Sequence, residues 1–220
     1  MAERPEQSRT TRSTPMVLVA CALAVGIAVG HAGVAGAESA SNSSSSVDTE
    51  WEISWAAYQA EERLAGSLLE TVEVTLPITI DAPLDHVFPV YSNLNSSLGR
   101  HPFLMDVLDH RSYTEDGADV REFIAIEGVP AGSASIPART VGRQRVYAAD
   151  DRYTTETWSA PGVITQQEIT FSEEAGSTTV TEHLTFRAPA LLIDFTVQNG
   201  VSSHIENQQA MQRDIENGTL

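Results

Sequence analysis

The chain has 220 residues, 30 of them acidic and 13 basic, for a net charge of −17 with the histidines neutral. Every basic side chain is an arginine, and the only cysteine is Cys21. Nucleic acid and anionic membrane surfaces need clustered cations, so neither is expected as a partner.

Residues 1–37 read as an export signal rather than as part of a fold. Arg4, Arg9 and Arg12 make a basic start, diluted by Glu3 and Glu6. Residues 16–30 are an apolar run, and Ala35-Gly36-Ala37 offers the small-x-small pattern that a signal peptidase cuts. The run is short against the roughly 20 residues that span a bilayer, so a retained anchor would have to recruit the small residues up to Ala37. Leu18-Val19-Ala20-Cys21 is similar to a lipoprotein acylation box, but the apolar run continues past the cysteine. No adjacent arginine pair points to a twin-arginine route. Cleavage after Ala37 removes two acidic and three basic residues, leaving a net charge of −18 and no cysteine. Disulfides, thiolate nucleophiles and cysteine metal sites are then excluded together. The protein is expected to be secreted or held at the cell envelope, with the membrane touched only through an uncleaved N-terminal segment.

Residues 38–48 are rich in serine with little to bury, and are expected to form a disordered tether. Residues 49–66 read as an amphipathic helix. Thr49 and Glu52 have capping-box spacing, and Trp51, Trp55 and Tyr58 lie on one face. That face is expected to pack on the domain that follows, the other reading being a contact with a partner or a membrane. The domain itself is expected over residues 71–218. Val72, Val74, Leu76, Ile78 and Ile80 alternate as a half-buried strand does. Asp81 and Pro83 then break the pattern, Asp81 as a cap and Pro83 as a first-turn residue, and Leu84, Val87, Phe88 and Tyr91 follow at helical spacing.

Residues 96–105 read as a second short helix or a loop, broken at His101-Pro102. Three hairpins follow, turning at Glu115-Asp116-Gly117, at Asp150-Asp151 and at Glu174-Ala175-Gly176. From Ala190 the period changes again. Val197, Val201, Ile205, Met211 and Ile215 mark a long closing helix that stops at Asn217-Gly218. Helices segregated to one face of an antiparallel sheet make an α+β domain.

The run from Ile78 to Pro102, ITIDAPLDHVFPVYSNLNSSLGRHP, resembles the start of the SRPBCC superfamily, the START-like or helix-grip domains. Ile136-Pro137-Ala138-Arg139, the turn and strand from Gly176 to Thr181, and the closing IENQQAMQRDIENG helix are similar to its polyketide cyclase/dehydrase-like subgroup. The resemblance implies a curved, antiparallel seven-stranded sheet wrapped around the long C-terminal helix, with two short helices after the first strand. It also implies a mostly apolar cavity between sheet and helix.

Pairing the last two strands across Ala175-Gly176 puts Thr165, Gln167, Ile169 and Phe171 on one face with Val180, Glu182, Leu184 and Phe186. That face is the apolar one and should point into the cavity, with His183 pointing out. Gln167 and Glu182 interrupt it. A carboxylate facing a cavity must be paired, hydrated or protonated. Glu182 is therefore either a ligand contact or acid–base group, or a structural residue, paired with an arginine such as Arg143 or Arg145 or standing at a wet cavity mouth. Trp158, beside the Pro161-Gly162 turn, joins the cavity candidates, although one residue of register would turn it away. Gln208 and Met211 lie near the apolar stripe of the closing helix. The histidines are scattered with no metal-ligand spacing, so neither a metal nor a cofactor is expected.

Two functions from different classes follow. One is an exported module that binds a small apolar or amphipathic molecule, a lipid, sterol or polyketide-like compound, contacted by Trp158, Gln167, Ile169, Phe171, Glu182, Leu184 and Phe186. The other is a cyclase or dehydratase acting through Glu182. A third reading is an interaction protein that uses the tryptophan-bearing helix.

Overall fold

The computed structural model describes residues 39–65, 68–131 and 134–220. The export-signal expectation for residues 1–37 lies outside the described residues. Strands β1 (Leu69–Ile80), β2 (Leu104–Glu115), β3 (Ala118–Ala131), β4 (Ala134–Tyr147), β5 (Arg152–Ser159), β6 (Val163–Glu174) and β7 (Ser177–Pro189) form one sheet. It is antiparallel, curved and unclosed, in the order β1-β7-β6-β5-β4-β3-β2. The six strands of the meander pair in chain order, and β1 closes on β7 from Leu69↔Pro189 to Ile80↔Thr178. The hairpin turns place Asp116, Asp151 and Ala175 in the left-handed region, with φ of 50°, 44° and 53°. Helix α2 (Leu84–Ser92) and a 3-10 turn (Leu94–Ser97) separate β1 from β2, and α3 (Ile193–Glu216) closes the chain.

The alternation of β1 sends Val72, Val74 and Leu76 against Leu184 and Phe186 of β7 and Val197 and Val201 of α3. Ile78 and Ile80 join Val87 and Tyr91 of α2 and Met211 and Ile215 of α3 in a second cluster. Helix α3 packs closely enough on β7 that a Cβ at Gly200 would come within 2.5 Å of the Phe186 ring, so only glycine fits there. The cap of α2 departs from expectation. Pro83 is the N-cap residue and Asp81 makes no cap bond. The carboxylate of Asp81 accepts instead from the Ser177 hydroxyl (3.2 Å), and Glu173 of β6 accepts from the Leu84 N–H (2.8 Å).

Helix α1 spans Ser39–Ala65, so it begins inside the segment expected to be a disordered tether. Tertiary contact explains the extension. Val47 packs against the sheet cluster, and Asp48 Oδ1 meets His110 Nδ1 of β2 at 2.8 Å. Thr49 thus lies inside the helix and its hydroxyl donates to the Ser45 carbonyl (2.9 Å) instead of capping. Helix α1 lies on the convex face of the sheet, opposite α3. Trp51, Trp55 and Tyr58 are buried there with Ile124, Val141, Trp158 and Ile164. The acidic residues of α1 then pair with donors on three strands: Glu50 with Arg139 of β4, Glu61 with Trp158 of β5, and Glu62 with Arg187 of β7. The tryptophan face is therefore used for packing. No helix among the described residues is long and apolar enough to cross a membrane.

Candidate functional site

The cross-strand register fixes which side chains share the concave face. Thr165 pairs with Phe186, Gln167 with Leu184, Ile169 with Glu182 and Phe171 with Val180, and all eight lie on the side covered by α2 and α3. Leu184 and Phe186 sit beneath Val197 and Val201, so their surface goes to holding α3. Ile169 and Phe171 belong to the cluster around Tyr91 and Tyr153. Gln167 stands half-buried between Thr155 and Leu184.

Trp158 does not belong to this group. It pairs with Ile164, whose face is opposite to that of Thr165 and Gln167, so it lies under α1 and donates its indole N–H to Glu61 Oε2 at 2.7 Å. The three-residue turn between Ser159 and Val163 sets that register.

Glu182 is 7% exposed, and its partners are not arginines. Arg143 and Arg145 lie on the convex face, where they pair with Glu122 and Glu115. On the concave face His204 Nδ1 meets Glu182 Oε1 at 2.8 Å, and Gln208 Nε2 donates to Oε2 at 3.0 Å. The same Gln208 nitrogen reaches the Leu76 carbonyl of β1 at 3.2 Å, which ties the carboxylate to the opening strand. Burial on its own would lower the His204 pKa. The charge of Glu182, its hydrogen bond and the nearby Glu127 outweigh that and hold His204 above the ordinary histidine value.

Two more groups complete the cluster. The His101 ring lies edge-on to His204 with centroids 5.7 Å apart, and its Nδ1 accepts from the Phe103 N–H at 3.3 Å. Burial, with His204 beside it, pushes His101 down to about 3. Its loop is pinned to α3 by Arg100, which bonds Asp214 at 2.7 Å. Glu127 of β3 accepts from the Thr140 hydroxyl at 2.6 Å, and burial raises its pKa against that bond and the charge of His204. The face therefore offers a hydrogen-bonded histidine–glutamate pair whose histidine is shifted up, a neutral imidazole at His101, and at Glu127 a carboxyl group shifted toward its protonated form.

Sequence reasoning missed His101, Glu127 and His204 because they are far apart in the chain. One signal was available for His204. The stripe that faces the sheet runs Val197, Val201, His204, Gln208, Met211 and Ile215, spaced by three and four residues, and Ile205 lies off it and is exposed. Among the described residues no group of three or more histidine, cysteine or acidic side chains is arranged to hold a metal ion.

A cleft of about 470 Å³ opens at the edge of this face, lined by Ser92, Leu94, Tyr113, Arg121, Gln144 and Val146 among others. From Val146 the register leads inward through Tyr153 and Ile169 to Glu182. That path crosses three strand spacings, roughly 14 Å.

No family model and no curated protein matches the chain. Solved structures do. The chain is similar to the Zhui aromatase/cyclase from Streptomyces sp. R1128, with 14% identity over 69% of this chain and 97% of that one and a TM-score of 0.55. It is similar to the di-domain ARO/CYC StfQ from the steffimycin biosynthetic pathway, with 10% identity over 72% of this chain and 55% of that one and a TM-score of 0.53. A START superfamily protein from Mycobacterium smegmatis matches at 12% identity over 66% of this chain and 97% of that one, with a TM-score of 0.50. About a third of this chain has no counterpart in the two that it covers almost completely. The arrangement of its remaining elements, a curved seven-stranded sheet gripping a C-terminal helix, is the START-like helix-grip fold of the polyketide cyclases.

Proposed function

We propose that this protein is exported and binds a small hydrophobic or amphipathic molecule, of lipid, sterol or polyketide-like size, on the concave face of its sheet. One observation carries the reading: a hydrogen-bonded network of Glu182, His204 and Gln208 sits inside an otherwise apolar core, facing the enclosed side. Buried ion pairs are no efficient source of stability, so one kept in a core is best explained by what it contacts. The apolar walls supply burial and the network orients the polar end of the ligand. The cleft beside Gln144 and Val146 is the way in. The basic start and apolar run of residues 1–37 support export, and N-terminal sequencing of the protein from its own host tests that part.

Native mass spectrometry of the same material tests the binding. A copurified non-covalent adduct is expected, and it should be lost in His204→Phe while the fold persists. Absence of any adduct, together with no uptake of lipophilic dyes, would remove the reading.

A second reading is favoured by Glu127. A carboxyl group whose pKa burial raises, near the hydrogen-bonded His204–Glu182 pair, gives candidate acid and base groups of the kind a cyclase or dehydratase needs. On this reading Glu182→Gln abolishes turnover of a polyketide-like substrate, and unchanged turnover overturns it.

A further inference from the structure

The connections between strands give the domain two unlike ends. One row across the sheet runs through Thr71, Arg187, Ile164, Trp158 and Val141. Beyond it, at one end, lie the start of β1, the loop from β7 to α3, the turn from β5 to β6 and the end of the β3–β4 hairpin. At the opposite end lie the β2–β3, β4–β5 and β6–β7 turns, with Asp116, Asp150, Asp151, Glu173 and Glu174, and Asp81 follows β1 there.

The first end carries no charge of its own. No charged residue occurs between Arg63 and Glu70, between Glu127 and Arg139, between Glu156 and Glu168, or between Arg187 and Asp194. The two arginines that border it are taken up by α1, Arg139 by Glu50 and Arg187 by Glu62. Arg63, Glu70 and Asp194 stay exposed at its margin. Large apolar side chains stand out from this end: Leu68 is 75% exposed, Leu191 90%, Phe195 47% and Ile136 46%. Their neighbours Leu69, Leu192 and Ile193 turn inward to the core clusters, so the outward leucines are not needed for packing. Apolar residues scattered singly over a surface are ordinary. Four on one uncharged end of a chain with a net charge of −17 are not scattered.

Shape and charge together select the partner. Apolar side chains that protrude from separate loops do not make the close-packed core that a protein interface needs. They suit a soft surface that takes each of them separately, as the headgroup region of a bilayer does. The acidic body repels an anionic surface but not a zwitterionic one. We propose that the protein docks on a zwitterionic lipid bilayer through this end, with Leu68 and Leu191 in the headgroup region and the acidic end in water. The docking does not depend on the concave face holding a ligand.

The test places a tryptophan at the docking end of the full chain, Leu191→Trp, and titrates it with phosphatidylcholine vesicles, plain or brominated on the acyl chains. The added emission, relative to the unmodified protein, is expected to shift to the blue and to be quenched by the brominated lipid. Glu174→Trp, at the acidic end, is expected to do neither. Adding Leu68→Asp to Leu191→Trp should raise the lipid concentration for half-quenching by about tenfold, the scale of one leucine withdrawn from an apolar phase. Mixing phosphatidylglycerol into the vesicles should raise it as well. If Leu191→Trp does not melt cooperatively, Phe195→Trp on the first turn of α3 carries the same comparison. Vesicles bound through residues 1–37 alone leave position 191 unquenched, and that result overturns the proposal. Equal quenching at positions 174 and 191, or tighter binding to phosphatidylglycerol, does the same. So does a blue shift that appears without lipid as protein concentration rises, which would make this end a contact between copies of the chain.

Discussion

Glu122 and Glu127 lie five residues apart on β3, and the odd separation puts them on opposite faces of the same sheet. Glu122 faces outward under α1 and is fully buried. Arg111 Nε, Arg143 Nη2 and the Tyr113 hydroxyl reach it at 2.5, 2.6 and 3.0 Å. Burial alone would raise its pKa, but the bonds and charge of the two arginines hold it below the ordinary glutamate value. Glu127 faces inward with one hydroxyl for a partner, and burial raises it. Glu127 is half-buried where Glu122 is fully buried, and the pair shows how little a carboxylate inside the fold says by itself. On the convex face it is a joint in a saturated network that seats α1. On the concave face it is undersupplied, and an undersupplied polar group is what a ligand or a substrate can use.

The contrast is broken most forcefully from the convex side. Glu122→Ala leaves two arginines facing each other across an empty site, and we expect a loss of about 3–5 kcal/mol in denaturant unfolding, the usual cost of breaking a buried pair. Trp51→Ala should cost about as much or slightly less. The ring stacks on Trp55 at 5.0 Å and on His110 at 4.7 Å, and its indole N–H reaches the Gly142 carbonyl at 3.3 Å. Removing such a buried ring costs about 3 kcal/mol or more. A loss below about 1 kcal/mol in either variant would mean that α1 is a loosely held addition, and the two faces would then not differ as described.

The same contrast explains what was legible beforehand. The strands, the hairpin turns and the two-faced pattern of β6 and β7 follow from period-two alternation and turn chemistry, which are local. Glu182 was found because it interrupts an apolar face whose register the Ala175-Gly176 turn fixes. Its partner His204 was not, nor was Glu127, since His204 is 22 residues away on α3 and Glu127 is four strands away, and nothing local brings them together. Trp158 failed for the opposite reason. Its environment depended on a turn in which one residue more or less reverses the face. The start of α1 was hidden because serines near 39–48 carry weak propensity, and the contacts of Val47 and Asp48 with a distant strand decide the matter.

A pH series separates the faces next. His101 has a folded pKa of about 3, below its unfolded value near 6.5, so the stability tied to its neutral form is present above 6.5 and is lost as pH falls toward 3. His204, 5.7 Å away, is shifted the other way: its contribution is full below about 6.5 and is lost as pH rises through its raised folded value. Unfolding midpoints measured from pH 4 to pH 9 should therefore fall on both sides of neutrality. His101→Phe should flatten the acid limb only, and His204→Phe the alkaline limb only. If His101→Phe leaves the acid limb unchanged, the acid sensitivity belongs to Glu122, whose lowered pKa also makes its contribution fade in acid.

The smallest effect expected is also the most discriminating. Glu127→Gln keeps the shape and an acceptor for the Thr140 hydroxyl and removes a carboxyl group whose ionised form burial disfavours. A raised folded pKa means that Glu127 costs more stability as pH rises above about 4.5. The variant should therefore match the unmodified protein at pH 4 within about 0.5 kcal/mol and exceed it slightly at pH 8. The same substitution at Glu122 is expected to be destabilising at both. A residue whose neutral isostere improves stability is not present for the sake of the fold. If Glu127→Gln raises stability at pH 8 while weakening ligand uptake or turnover, the concave carboxyl is functional. If it lowers stability at pH 8 as Glu122→Gln does, the two faces of the sheet are built alike and the concave cluster is only a second structural network.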